Sequence, residues 1–202
     1  MYAGAHGLAN NLDLILDAAN ILRDDRRIVF VLVGDGRVKS DLVERAAELD
    51  LPNVIFVDSR PKHDVPDVLA AADICVAVLK PIPMFDTTYP NKVFDYMAAS
   101  KPTVLAIDGQ IRKVIQSAGG GTYVDPADPA ALAAAVSEYA GDAMRVAAEG
   151  REARDYVVAN FDRREQAISA ETTLLEAVKA RAMTGRIGVF AKRFIDIVGS
   201  LV

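Results

Sequence analysis

At 202 residues, 51% hydrophobic and 25% charged, the chain can bury a sizeable core as one large or two small domains, at roughly 100–200 residues per domain, and is neither disordered nor low-complexity. A net charge of −5 argues against a nucleic-acid binder, and the single cysteine, Cys75, forbids an internal disulfide, points to a reducing compartment and excludes a cysteine-based metal site. With no apolar stretch of about 18 residues and no charged-then-apolar leader, neither a complete spanning helix nor a secretory signal is expected.

The charge is unevenly placed. From Lys179 to Val202 five basic residues stand against Asp196 alone, a net +4 that leaves −9 on the first 178 residues. A basic tail on an acidic body calls for an explanation.

In chain order, short β-branched runs alternate with longer stretches of helical period, and Gly, Pro, Asp or Asn marks each junction. The predicted strands are Tyr2-Ala3, Ile28–Val33, Val54–Val57, Ile74–Leu79, Thr103–Ile107 and Thr122–Val124. They are continuous apolar runs, as expected of parallel strands covered on both faces. The predicted helices between them are Leu12–Leu22, Lys39–Leu49, Val65–Ala71, Lys92–Ala99, Arg112–Ala118 and Pro129–Tyr139. Two long helices follow, Asp142–Asn160 and Arg163–Ala182, then a break at Thr184-Gly185 and a last helical segment from Ile187. This alternation predicts an α/β fold, a Rossmann-like doubly wound parallel sheet over residues 1–184 with C-terminal helices, and a basic amphipathic tail over 185–202.

Ligands of such folds bind beyond the carboxyl ends of the strands, so the loops there are the ones to read. After the first strand, Gly4-Ala5-His6-Gly7-Leu8 places two glycines where backbone can approach a phosphate ahead of a helix. The same residues also read as a tight turn with no ligand, and His6 as a lone exposed histidine. Gly34-Asp35-Gly36 lacks the third glycine of a dinucleotide fingerprint, and Asp58 is only the nearest acid to the required position, so a turn needing positive φ is the expectation there rather than nicotinamide binding. Arg60, in Asp58-Ser59-Arg60-Pro61, is placed to pack on a base, reach a phosphate or simply meet solvent.

The segment Lys80–Lys92 holds three prolines and two aromatics with no helical period, the mark of a long ordered loop that shapes a pocket. It runs into a helix with Lys92 and Asp95 three residues apart near its N-terminus. A carboxylate there can accept both hydroxyls of a ribose while Lys92 and free N–H groups face a diphosphate; alternatively the two form a surface ion pair of little energetic weight. No cluster of metal-ligand residues appears in the strand-end loops, so no metal or other cofactor is expected.

The run Pro90-Asn91-Lys92-Val93-Phe94-Asp95-Tyr96-Met97-Ala98-Ala99-Ser100-Lys101-Pro102 resembles the signature helix, P-x-K-x-x-E-Y-M-A-x-G-K-P, of the family 4 glycosyltransferases, which have the GT-B fold. The resemblance extends in order over roughly residues 1–180, through YAGAHG, LVGDG, PNVIFV, AADICVAVLKP, GGGTYVDPADPAALAAAV and REARDYVVANFDR. It implies the C-terminal, nucleotide-sugar-binding half of a retaining glycosyltransferase, of hexosyl or N-acetylhexosaminyl type, with the donor most readily UDP-linked. In the family the second acid of an E-x7-E motif binds the donor ribose, and the match makes that residue Asp95, a shorter acid than the family's Glu. The first acid falls on Thr87, with Asp86 one residue away as a substitute. The Arg and Lys that many relatives carry in the first loop are absent from Ala5–Asn11, which leaves the diphosphate to Lys92 and the amides of its helix, beside Gly4, Gly7, Arg60 and Asn91.

The resemblance further implies an N-terminal domain that binds a lipid-linked or saccharide acceptor and carries most catalytic groups. By itself this chain is expected to bind donor and turn nothing over. The branch it resembles serves bacterial surface-polysaccharide or glycan assembly, which implies a cytoplasmic location at the inner face of the membrane. Lys192–Val202 resembles the opening of the membrane helix of polyprenyl-phosphate sugar-1-phosphate transferases; it also reads as a basic helix on an anionic membrane surface, at about 1 kcal/mol per Lys or Arg, or as a helix returning to the absent domain. The competing functional readings are a non-catalytic Rossmann-like docking module and a nucleotide-sugar epimerase, the latter lacking the acids and histidine it would need near the cleft.

Overall fold

Apolar strands paired by amphipathic helices fold as the alternation demands, and the computed structural model describes residues 1–183. The order is β1 (Tyr2–Ala3), α1 (Asp13–Ile21), β2 (Phe30–Val33), α2 (Lys39–Glu48), β3 (Val54–Val57), α3 (Val65–Ala70), β4 (Cys75–Val78), α4 (Asn91–Ala98), β5 (Thr103–Ala106), α5 (Gln110–Ala118), β6 (Gly121–Tyr123), α6 (Pro129–Gly141), α7 (Ala143–Asn160) and α8 (Arg163–Met183). Local signals set several ends. Pro129 opens α6 where its missing N–H costs nothing, and the Asp128 carboxylate accepts the Ala131 N–H at 2.9 Å.

The strands form two parallel three-stranded sheets, β1-β2-β3 and β4-β5-β6. Phe30 pairs with Val54 and Val33 with Val57; Cys75 pairs with Thr103, and Thr103 with Gly121. The two sheets meet at β1 and β4, where the Val76 N–H donates to the Met1 carbonyl at 2.8 Å and the Met1 ammonium donates to the Ile74 carbonyl at 2.8 Å. Across the molecule the strands therefore run β3-β2-β1-β4-β5-β6, and the order reverses between β1 and β4.

Alternate residues of the central strands are buried on opposite faces. Val76, Val78, Val104 and Ala106 join Leu12, just ahead of α1, Ile15 and Leu16 of α1, and Leu132 and Val136 of α6 in one core. Cys75, Ala77 and Leu105, facing the other way, are equally enclosed, as are Val93 and Met97 of α4, which packs on β4 and β5. Each enclosed Leu, Ile or Met contributes about 1.5–3 kcal/mol of burial, so both layers are needed to hold the sheet. Burial also pushes the Cys75 thiol up to about 11.

The strands are shorter than their apolar runs. Val29 is 51% exposed, because the ladder with β3 begins only at Phe30 opposite Val54. The loop between β4 and α4 contains a 3-10 turn at Pro83–Thr87, closed by the Phe85 N–H on the Ile82 carbonyl and the Thr88 N–H on the Phe85 carbonyl.

The chain divides into a unit spanning Met1–Ala159 and a second unit that begins at Asn160 and contains α8. Along α8, Ile168, Leu174, Leu175 and Val178 are exposed. Among the described residues no helix is long and apolar enough to cross a membrane. The expected tail of residues 185–202, with its likeness to a membrane-helix opening, lies outside the described residues.

Candidate functional site

In a doubly wound sheet the crevice for ligands opens where the strand order reverses, here above the carboxyl ends of β1 and β4. The two loops that leave those strands touch, the Lys80 N–H donating to the Ala9 carbonyl at 2.9 Å. The loop after β1 also lies flat on the loop after β2: the His6 N–H donates to the Asp35 carbonyl (2.8 Å) and the Val38 N–H to the His6 carbonyl (3.1 Å). Gly34 and Gly36, at φ 148° and 154°, permit this approach, since a Cβ would stand 1.9 Å from the Gly4 oxygen and 2.5 Å from the His6 oxygen. The space a pyrophosphate would need over Gly34-Asp35-Gly36 is thus filled by protein.

Lys92 rises from the first turn of α4 into the crevice. Its Nζ donates to the Tyr2 hydroxyl at 2.8 Å and to Asn10 Oδ1 at 2.7 Å, and lies 4.4 Å from the Tyr2 ring centroid. The Tyr2 hydroxyl in turn donates a hydrogen bond to the Ala5 carbonyl (2.8 Å). A Cβ on Gly4 would sit 3.4 Å from Lys92 Nζ, so the absence of a side chain there leaves the ammonium uncovered. Among the described residues no carboxylate pairs with Lys92, and burial lowers its pKa to about 8. An ammonium has three donors and two are engaged, so one N–H and an uncompensated charge remain for an anion.

Tyr96 holds α4 in place. Its buried hydroxyl donates to the Ala3 carbonyl (3.0 Å) and accepts the Ala3 N–H (2.9 Å), which ties the helix to the end of β1. Asn91, the first residue of α4, and Asp95, one turn further, are exposed. Asp95 makes no side-chain hydrogen bond or ion pair among the described residues, and Lys92 turns to Tyr2 and Asn10 instead, so the surface pair between them does not form. The structure therefore brings Gly4, Gly7 and Lys92 together, with Asn91 and Asp95 along the same helix.

Arg60 and Asp86 join that group through no hydrogen bond or ion pair. Arg60 is exposed after β3, where Lys39 bridges Asp58 (2.6 Å) and the Gly34 carbonyl (3.0 Å) and holds the Asp58 carboxyl below its usual range. Asp86 is exposed on the 3-10 turn, whose backbone packs on Gly109, at φ 87°, so closely that a Cβ there would meet the Asp86 oxygen at 2.0 Å. It borders a cleft of about 280 Å³ with Lys80, Phe85, Asp108, Tyr123 and Asp125. Thr87 is exposed beside it. Among the described residues no group of three or more His, Cys, Asp or Glu could hold a metal ion.

His6 departs from expectation. It is fully buried, with its ring 6.0 Å from that of Tyr2 and 6.3 Å from that of Phe56, and neither ring nitrogen has a hydrogen-bond partner among the described residues. Burial first, then Lys39 and Lys92, lowers its pKa and keeps the imidazole neutral. Three elements close around it, which its small neighbours Ala5 and Gly7 in sequence did not signal. Tyr2 and Asn10 were missed for a similar reason, lying 90 and 82 residues from the lysine they hold.

Comparison with known proteins places this site in context. Residues 1–142 match the family model described as "Glycosyl transferases group 1". Over 168 residues the chain is 25% identical to a protein of Escherichia coli (strain K12) that carries the name colanic acid biosynthesis glycosyl transferase WcaI, covering 81% of this chain and 39% of that one. The crystal structure of HepE from Anabaena in complex with UDP aligns with a TM-score of 0.72 at 19% identity, over 89% of this chain and 48% of that one. The C-terminal domain of LpcC, a glycosyl transferase group 1 family protein of Francisella tularensis, aligns with a TM-score of 0.68 at 16% identity, over 80% and 85%. The chain thus spans half or less of the length of WcaI and of HepE, and most of an isolated C-terminal domain. These likenesses fix the fold as the Rossmann-like half of GT-B type that the alternation and the signature helix led us to expect.

Proposed function

We propose, for a chain that belongs to the glycosyl transferases group 1 family, that it binds a nucleotide sugar, UDP-linked by preference, and supplies the donor half of an enzyme that transfers the sugar with retention. The observation that carries this reading is Lys92: a half-buried ammonium with no carboxylate partner, held by Tyr2 and Asn10 at the point where the strand order reverses. A fixed cation in a site with few acceptors is suited to an anion, and a nucleoside diphosphate brings two.

In this reading the diphosphate lies over Gly4 and Gly7 against Lys92 and the N–H groups of Asn91 and Lys92, which have no partner within α4. Asp95, exposed and unpaired one turn along, accepts the ribose hydroxyls. Arg60 stacks on the base, and Asp86 is the acid nearest the family's sugar-side position. As the bond from sugar to phosphate breaks, charge grows on the leaving diphosphate, and donors already in place stabilise it without reorganisation. An acceptor domain outside this chain completes the enzyme, and the acceptor is lipid-linked or a saccharide in surface-polysaccharide or glycan assembly, at the inner face of the membrane. UDP bound to HepE and the naming of WcaI for colanic acid support this reading by analogy.

Calorimetric titration with UDP, GDP and their sugars tests it. Saturable binding that Asp95→Ala weakens is expected; no binding to any of them would sink the proposal.

A further inference from the structure

We infer that Asn10 is a second anion-binding group of this site, donating its side-chain amide to the diphosphate where no basic side chain stands. The inference rests on the proposed donor site and adds a residue to it. Lys92 Nζ approaches one end of the Asn10 amide at 2.7 Å. An ammonium can only donate, so that end is the oxygen, and the NH2 must face the other way. The nitrogen lies toward Gly7, 3.4 Å from where a Cβ of residue 7 would stand. It donates to no acceptor among the described residues, and it is absent from the buried polar atoms that lack partners, so it reaches solvent.

Lys92 therefore does two things to Asn10: it fixes the amide's orientation and polarises it, making the outward N–H groups stronger donors. The third N–H of Lys92, the two of Asn10 and the backbone N–H of Gly7 then present donors, and Gly4, whose own N–H is engaged with the Val33 carbonyl at 3.0 Å, leaves them uncovered. Phosphate oxygens fit such a row; a base or a neutral sugar, which needs acceptors as well, does not.

The chain is titrated with uridine, UMP and UDP, as wild type and as Asn10→Asp. The aspartate keeps the shape and holds Lys92 more firmly, but replaces two donors by an anionic oxygen. UDP affinity is expected to fall about ten- to a hundredfold, with uridine affinity and thermal stability unchanged or improved. A carboxylate at position 10 also pairs with Lys92 and repels an anion, so lost UDP affinity supports the inference only together with a downfield shift of the wild-type Asn10 side-chain amide on adding UDP; undiminished UDP binding by Asn10→Asp overturns the inference while leaving the donor site standing. Wild type that fails to bind UDP defeats both. Should the aspartate variant fold poorly, the Asn10 side-chain amide resonance of wild type decides: a downfield shift with UDP and none with uridine supports the role, and no shift with either overturns it.

Discussion

Lys92 Nζ sits 2.8 Å from the Tyr2 hydroxyl, a contact made across 90 residues of sequence by a charge that has no carboxylate partner among the described residues. Burial lowers its pKa from 10.5 to about 8. Between those values the folded chain holds fewer protons than the unfolded one, so Lys92 makes stability rise with pH across that window and penalises the fold below it. Lys92→Met is expected to raise the urea midpoint at pH 7 and to abolish that rise, while losing UDP binding. In wild type, UDP affinity should fall above about pH 8 by up to about tenfold per pH unit as the ammonium deprotonates. Urea titrations and calorimetry at pH 7, 8 and 9 check both.

Asp95 is exposed and enters no pair, so its removal carries little structural cost. Asp95→Ala should leave the unfolding free energy within about 0.5 kcal/mol of wild type in chemical denaturation. Affinity for UDP should fall by about tenfold or more, since a hydrogen bond to a charged group contributes about 1.5–3 kcal/mol. Its affinity for 2′,3′-dideoxy-UDP should match wild type, because that ligand lacks the hydroxyls the carboxylate is proposed to accept; a further loss would place Asp95 elsewhere.

Tyr96→Phe removes one oxygen and leaves the N–H and carbonyl of Ala3 without their partner in a buried setting. A loss of about 1–3 kcal/mol is expected in chemical denaturation. Because the bond ties α4 to β1, UDP affinity should also fall although Tyr96 is enclosed and reaches no ligand.

His6 pays for two unpartnered nitrogens inside a cage of Tyr2 and Phe56. Its folded pKa is lowered, so the folded chain takes up its proton later than the unfolded one as pH falls, and stability is lost below about pH 6.5. His6→Leu is expected to be at least as stable as wild type at pH 7.5 and to flatten this acid-side decline, measured as melting temperature against pH. A steeper decline in the variant would contradict the burial seen here.

The alternation of apolar runs and amphipathic stretches was enough to order six strands and eight helices, because each run of Val, Ile and Leu had to be covered and Gly, Pro, Asp or Asn marked the junctions. Strand ends were overshot where an apolar residue, such as Val29, extends past the ladder. The signature helix singled out Asn91, Lys92 and Asp95, which the structure sets on α4, with Lys92 reaching the crevice where the strand order reverses. What stayed hidden were relationships between distant segments: that Tyr96 of the same motif clamps β1, that Tyr2 and Asn10 hold Lys92, and that His6 lies inside. None of these leaves a local period or spacing, because each depends on segments far apart in sequence meeting in the fold, α4 on β1 for Tyr96 and Lys92, and the loops after β1 and β2 with Phe56 for His6.

The most direct test is a calorimetric titration of UDP into the wild-type chain and into Lys92→Met. One saturable UDP per chain in wild type, lost in the methionine variant while the variant remains folded, is the expected result. Failure of wild type to bind UDP, or binding that Lys92→Met leaves unchanged, would contradict the proposed site.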